Sequence, residues 1–243
     1  MAEKETEIAQ LGEFGLIERL SENINIHHKS TIKGIGDDCA VLNYNEGEVL
    51  VSTDILMEGI HFDLTYVPLK HLGYKAAVVN FSDIYAMNGF PRQIVVALGV
   101  SKRFTVEHIE EIYEGIKLAC DIYNVDLVGG DTTSSRAGLT ISITCIGGAN
   151  KEKITYRKGA KNSDLICVSG DLGAAYMGLQ LLEREKVASM GQADFQPQFQ
   201  GKEYLIERQL KPEARKDIVT ELDKLNIVPT SMIDISDGLS SEL

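Results

Sequence analysis

The sequence predicts an α/β (α+β) fold in two domains, built on a mixed sheet with helices packed on one face. Three observations carry that expectation. Over residues 1–150, short apolar segments alternate with longer amphipathic ones in the order β, α, β, α, β, β, which is the pattern of a layered α/β structure. A second unit begins near Lys151, where an apolar run again precedes a helical pattern. The 243 residues are 44% hydrophobic, enough to bury a sizeable core in one large domain or two small ones.

The elements follow in order. Residues 1–12 are polar, and a short amphipathic helix comes next with Phe14, Ile17 and Leu20 on one face. Gly34-Ile35-Gly36-Asp37-Asp38 reads as a turn leading into the apolar run 39–42. Residues 48–53 read as a strand, as does the segment around 60–64. Residues 69–87 make a long, mostly apolar helix, ended by the turn chemistry of Asn88-Gly89-Phe90-Pro91. A nearly continuous apolar strand covers 93–100. An amphipathic helix covers 105–123, with Val106, Ile109, Ile112, Tyr113 and Ile116 inward. A short strand at 126–128 closes on Gly129-Gly130-Asp131-Thr132-Thr133, and 139–146 is another strand. In the second unit 164–169 is expected as a strand. Gly170-Asp171-Leu172-Gly173 then opens a helix to about residue 184, and 186–201 is a polar loop. Helices continue to about 225, and residues 232–239 resemble the start of a further helix rather than the end of a domain. Residues 151–243 are therefore expected to be the start of a C-terminal domain, incomplete at Leu243.

Twenty-four basic residues face 36 acidic ones, a net charge of −12, which repels a phosphate backbone and excludes general nucleic-acid binding. The charge means either plain solubility or a local acidic cluster that recruits divalent cations. Aromatic content is 7% with no Trp. Cys39, Cys120, Cys145 and Cys167 form no C-x-x-C, which disfavours a zinc site and reads as buried thiols in a reducing compartment. The N-terminus has no apolar signal core, and no uncharged apolar run approaches membrane-spanning length. The expected location is the cytoplasm, with no membrane partner.

The phosphate loop G-x-x-x-x-G-K-[ST], the dinucleotide fingerprint, H-R-D with D-F-G, H-E-x-x-H and G-x-S-x-G are all missing. What remains is a series of aspartates. Asp37 and Asp38 precede an apolar strand, Asp54 closes one, Asp83 lies inside an apolar helix, and Asp131 follows Gly129-Gly130. Asp234 and Asp237 stand three apart, a spacing that shares a face if the turn is helical. A carboxylate inside an apolar helix is costly unless it is paired or binds a cation. Oxygen ligands without a thiolate or His cluster suit Mg²⁺, which takes one or two carboxylates per ion and completes its shell with water and substrate phosphates. Each aspartate taken singly has a plainer reading, as a turn residue or a helix cap.

The strings Gly34-Ile35-Gly36-Asp37-Asp38-Cys39-Ala40-Val41, Ser52-Thr53-Asp54-Ile55-Leu56-Met57-Glu58-Gly59-Ile60-His61-Phe62, Asn80-Phe81-Ser82-Asp83, Gly129-Gly130-Asp131-Thr132-Thr133 and Ile235-Ser236-Asp237-Gly238-Leu239 occur in this order, after an opening Gly12-Glu13-Phe14-Gly15-Leu16-Ile17. Together they resemble the thiamine-monophosphate kinase family, of the aminoimidazole ribonucleotide synthetase-like superfamily. The resemblance implies Mg²⁺ ligands at Asp38, Asp54, Asp83, Asp131 and Asp234, with Asp237 a further one and Ser52 and Thr53 adding metal contacts. It implies ATP contacts at Gly130, Asp131, Arg157 and Ser236. Tyr113 aligns loosely with another ATP contact, and its helical spacing also fits core packing. His61 matches a thiamine-phosphate-binding position. The Gly170–Gly173 turn could hold an anion on backbone N–H groups, or be only a strand-to-helix turn, and is not counted as a site.

The implied reaction is direct in-line transfer of the ATP γ-phosphoryl group to thiamine monophosphate, giving thiamine diphosphate and ADP. Several Mg²⁺ ions would assist it, and no residue acts as acid or base. The resemblance also implies a homodimer paired through its N-terminal domains, residues 1–150, with ATP bound close to the interface. Two alternatives stand beside this reading: another ATP-dependent enzyme of the superfamily, such as a selenophosphate synthetase or hydrogenase-maturation ATPase, and a catalytically silent nucleotide-binding subunit.

Overall fold

In the computed structural model, residues 15, 16, 18–22, 24–33, 41, 42, 44, 47–190 and 196–242 are described. Leu16 and Leu20, on the helical residues 15–16 and 18–21, are buried in the core, as the amphipathic pattern requires. Phe14, Ile17, Asp37, Asp38 and Cys39 lie outside the described residues.

The apolar runs between 48 and 149 become four long strands and two long helices. The strands are β3 (Glu48–Met57), β4 (Phe90–Val100), β5 (Asp126–Ser134) and β6 (Leu139–Ala149), in the sheet order β3-β6-β4-β5. β6 is antiparallel to β3 and β4, whereas β4 and β5 run parallel. The parallel pair is joined by a helical crossover, as parallel strands require. That makes the sheet mixed. A two-stranded pair, β1 (Thr31–Lys33) with β2 (Val41–Leu42), stands apart from it.

Helix α1 (Leu69–Ala86) connects β3 to β4, and α2 (Val106–Tyr123) connects β4 to β5. α1 stops where Asn88 takes a left-handed φ of 57° ahead of Gly89. α2 starts at a reciprocal cap between Thr105 and His108. The helices cross at a pair of glycines: a Cβ on Gly73 would lie 1.9 Å from the Ile112 carbonyl oxygen, and one on Gly115 1.9 Å from that of Lys70. This close approach seats Phe81, Ile84, Ile109 and Ile112 against Ile94, Val96, Leu98, Ile141 and Ile143, all essentially sealed from solvent. The opposite face of β3 is apolar and uncovered, with Val49, Val51, Ile55 and Met57 all exposed.

Three expectations are corrected. Residues 60–64 form a turn, not a strand. Gly59 adopts φ +79° and its N–H donates to the Phe62 carbonyl at 2.8 Å, which folds the chain back on itself. The strand expected at 126–128 runs on to Ser134, because β4 supplies a parallel partner along its whole length. Residues 164–169 have no regular structure and Leu165 is 90% exposed: an apolar segment without a neighbouring ladder does not hold a strand conformation. Beyond it lie α3 (Ala174–Ser189), α4 (Glu203–Leu210), α5 (Lys216–Lys224) and α6 (Leu239–Glu242). No described helix is long and apolar enough to cross a membrane.

Candidate functional site

The string Asn80-Phe81-Ser82-Asp83 does two jobs on one turn of α1. Phe81 points into the core, and the other three side chains reach different partners: Asn80 the backbone, Ser82 the Asp234 carboxylate and Asp83 the Ser52 hydroxyl. β3 is an edge strand, so some of its N–H groups lack a strand partner. The fully buried Asn80 resolves one of these: its Oδ1 accepts from the Asp54 N–H at 3.1 Å while its Nδ2 donates to the Ala76 carbonyl at 3.0 Å. One turn further along the helix, Ser52 Oγ of β3 donates to Asp83. Ser82 Oγ donates to Asp234 at 2.7 Å and so ties the 230–237 segment to the same helix.

That segment arrives alongside 156–159. The Met232 N–H donates to the Tyr156 carbonyl at 3.2 Å, and Ser231 Oγ to the Arg157 carbonyl at 2.5 Å. Asp54, Asp83, Asp234 and Arg157 are thereby drawn into one electrostatic neighbourhood. Burial holds the Asp54 carboxyl above its ordinary pKa, and the charge of Asp234 raises it further while His61 opposes. Burial also lifts Asp83; Ser52 opposes through its hydrogen bond, Asp54 and Asp234 add to the rise, and Arg157 pulls it back. Asp234 bears on both Asp54 and Asp83, and Asp54 on Asp83, so the site carries excess negative charge, and all of the donors are oxygens. That donor set suits a hard cation in kind. Among the described residues, however, no group of three or more His, Cys, Asp or Glu side chains is close enough to hold a metal ion.

Sheet register decides which of the expected residues join this cluster. Asp54 pairs with Ile143, Ile143 with Val96 and Val96 with Gly130, so this row lies on the helix face. The next row is Ile55, Ser142, Ala97 and Asp131, on the opposite face, where Asp131 is exposed. Thr53 shares that outer face and bonds Thr144 Oγ1 at 3.0 Å. The sheet therefore stands between Asp131 and the Asp54–Asp83–Asp234 cluster. Gly130 is held against β4, where a Cβ would come within 2.1 Å of the Val96 carbonyl oxygen.

The remaining expected residues spread out. His61 sits on the turn after β3, its Nδ1 accepting from the Met57 N–H at 3.0 Å, close enough to Asp54 to act on its charge. Tyr113 is buried in the core on α2, where burial pushes its hydroxyl up to about 12. Ser236 and Asp237 are exposed, with the Asp237 N–H 3.3 Å from Glu242 Oε1. Asp38 lies outside the described residues. Asn80 and Ser82 were not singled out from sequence, although two polar residues beside Asp83 in an apolar helix are the same signal that marked Asp83.

Residues 36–149 match the family model described as AIR synthase related protein, N-terminal domain. The chain is 36% identical over 236 residues to the thiamine-monophosphate kinase of Bacillus subtilis (strain 168), an alignment covering 96% of this chain and 69% of that protein. A crystal structure of thiamine-monophosphate kinase from Stenotrophomonas maltophilia K279a superposes with a TM-score of 0.77 at 29% identity, over 95% of this chain and 69% of that one. AaThiL complexed with AMPPCP and TMP superposes with a TM-score of 0.70 at 34% identity, over 98% of this chain and 70% of that one.

Proposed function

This chain belongs to the thiamine-monophosphate kinase family, and we propose from that premise that it transfers the γ-phosphoryl group of ATP to thiamine monophosphate, releasing thiamine diphosphate and ADP. The observation that carries the reading is the meeting of Asp54, Asp83 and Asp234 around one turn of α1, fastened by Ser52, Asn80 and Ser82. A similar protein crystallised with AMPPCP and TMP supports the choice of donor and acceptor.

The acceptor is a phosphate oxygen, ionised and nucleophilic near neutral pH, so the reaction needs little help from a general base. The barrier is electrostatic and geometric, because two anions must meet in line. Bound Mg²⁺ would supply charge neutralisation for both phosphates. The chain's part is to hold carboxylates in place: Ser52 fixes Asp83, Ser82 fixes Asp234, and Asn80 fixes the backbone at Asp54. Asp38 and Asp237 are further proposed ligands with Ser52 as a metal contact, and Asp131 with Thr53, on the outer face of the sheet, is proposed for a separate ion. Gly130, Asp131, Arg157, Ser236 and Tyr113 are the proposed ATP contacts. His61, at the edge of the cluster beside Asp54, is the proposed contact to thiamine monophosphate. Transfer is direct, without a phosphoenzyme.

The reading includes a homodimer. The exposed Val49, Val51, Ile55 and Met57 on one strand make an apolar sheet face of the kind that a second copy covers. Asp131 and Thr53 share that face, which would bring the interface and the nucleotide close together. Residues 1–150 are the nucleotide and dimerisation domain, a division supported by the family match ending at 149, and 151–243 begin the second domain. The location is cytoplasmic, where ATP is supplied and free thiols such as Cys120, Cys145 and Cys167 persist.

The test is ADP release by this chain with Mg²⁺ and ATP, with and without thiamine monophosphate. Strong stimulation by the acceptor is expected, and its absence would sink the assignment. Net inversion at the γ-phosphorus is expected for direct transfer, and retention would require a phosphoenzyme.

A further inference from the structure

The turn that carries His61 is braced by a carboxylate that the proposed chemistry does not use. Glu58, the residue after β3, closes on Leu139 at the start of β6 from two sides. Its N–H donates to the Leu139 carbonyl at 3.0 Å, and its Oε2 accepts from the Leu139 N–H at 2.9 Å. Its other oxygen pairs with Arg103, on the connection between β4 and α2. The Arg103 guanidinium lies 4.8 Å from the centre of the buried Phe104 ring, which ties that end of the pair to the core. Gly138, at φ +73°, leaves room for the carboxylate, since an added Cβ would sit 3.2 Å from Oε2. Both oxygens of Glu58 are engaged, so it braces the turn instead of meeting a substrate.

Beyond Glu58 the chain reverses at once. The N–H groups of Ile60 and His61 donate to the Met57 carbonyl at 3.2 and 2.9 Å, and Phe62 returns to the core. The exposed His61 is thereby folded back over the end of β3, where its Nδ1 meets the Met57 N–H at 3.0 Å. A backbone N–H only donates, so Nδ1 must accept, and the neutral imidazole carries its hydrogen on Nε2. The ring is held in one tautomer with a donor at Nε2, which suits an anionic phosphate oxygen.

We infer that Glu58, paired with Arg103, is a positioning residue: it sets the 58–62 turn so that His61 offers its Nε2–H to the phosphate of thiamine monophosphate. The substrate contact of His61 rests on the proposed function, whereas the brace and the tautomer rest on the geometry above.

The test uses Glu58→Ala, Glu58→Gln, Arg103→Met and His61→Ala. Four quantities are measured: the KM for thiamine monophosphate, the KM for ATP, the Tm, and the tautomer of His61 by ¹⁵N NMR of the imidazoles, with the signal assigned by its loss in His61→Ala. The unsubstituted chain should show the Nε2–H form. Glu58→Ala should mix the two tautomers. It should also raise the KM for thiamine monophosphate about tenfold, the size of one hydrogen bond to a charged group, with the KM for ATP within about twofold. Glu58→Gln keeps an oxygen for the Leu139 N–H, and it and Arg103→Met should each give a rise of only about threefold. In the His61→Ala background Glu58→Ala should not move the KM for thiamine monophosphate further. A lower Tm with an unchanged tautomer would make Glu58 purely structural and overturn the inference. So would equal rises in both KM values, or a rise that persists without His61. Arg103 is half-exposed, so Arg103→Met carries the test if Glu58→Ala does not fold. Failure of the parent reading is distinguishable, because it appears in the unsubstituted chain as ADP release indifferent to thiamine monophosphate, while the ¹⁵N signal of His61 still reads the brace.

Discussion

Asp54 and Asp131 stand on neighbouring rows of one sheet, and the shift of one residue puts them in opposite situations. Asp54 faces α1, half-buried beside Asp83 and Asp234, and its carboxyl is lifted above its ordinary pKa. Asp131 faces outward, exposed, beside Ala97. The same side chain is crowded by other carboxylates on one face and open to solvent on the other. Crowding of this kind is what a cation relieves, so the helix-face carboxylates should favour binding at the expense of stability without it.

The largest expected effect tests that contrast. Asp83→Asn and Asp131→Asn should each lower turnover by about a thousandfold, since both are proposed ligands. Their stabilities should diverge. A carboxylate whose folded pKa is raised favours the fold below its unfolded pKa, and that contribution is lost as pH rises through the folded value. At neutral pH without divalent cations Asp83 is therefore a liability, and Asp83→Asn should raise the Tm by a few degrees. Asp131→Asn should leave it within about one degree. Thermal scans in EDTA decide this, and a fall in Tm for Asp83→Asn would break the comparison.

The outer face gives the next largest effect. Val51 is 66% exposed at the centre of the apolar strip on β3. Val51→Lys should weaken the proposed dimer by about a hundredfold or more in sedimentation equilibrium, since a charge at the centre of an apolar interface is left without a partner. A chain that is monomeric before the substitution would remove the outer face from the argument.

How much of this was legible in the sequence depended on period and range. The long elements were readable because Ile109, Ile112 and Ile116 mark a helical stripe and 93–100 an unbroken buried strand. Asp83 stood out because a charge in an apolar helix contradicts its surroundings. Asp54 and Asp131 were read as ends of strands, yet both lie inside longer ones, because the pairing that extends β3 and β5 comes from residues far away in sequence. For the same reason no local pattern put Asp131 on the other face of the sheet, which register alone decides. The strand expected at 164–169 had the right composition but no neighbour, and the buried Asp126 and Gln93 both bond Thr31, more than 60 residues away.

Smaller effects sharpen the helix face. Ser82→Ala removes the hydroxyl that fastens Asp234 to α1, a neutral donor to a charged acceptor. Loss of about fivefold in kcat/KM for ATP is expected, with little change for thiamine monophosphate. Equal losses for both substrates would mean that Ser82 supports the whole cleft rather than Asp234.

The smallest effect concerns a carboxylate held in another setting, a direct ion pair. Lys186 on α3 bonds Asp63 at 2.6 Å and holds its carboxyl down at about 2, helped by the Thr65 N–H. The sign is opposite to that of Asp83. A depressed folded pKa adds stability that is present above the ordinary carboxylate value and lost as pH falls through about 2. Both partners are partly exposed, so solvent screens the pair and its contribution is small. Lys186→Met should therefore lower the Tm by at most a few degrees at pH 7, and the difference from the unsubstituted chain should shrink as pH falls from about 4 towards 2. Equal deficits at pH 7 and pH 2 would assign the loss to the contact of Lys186 with the Tyr66 ring, 5.9 Å away, instead of to the charge pair.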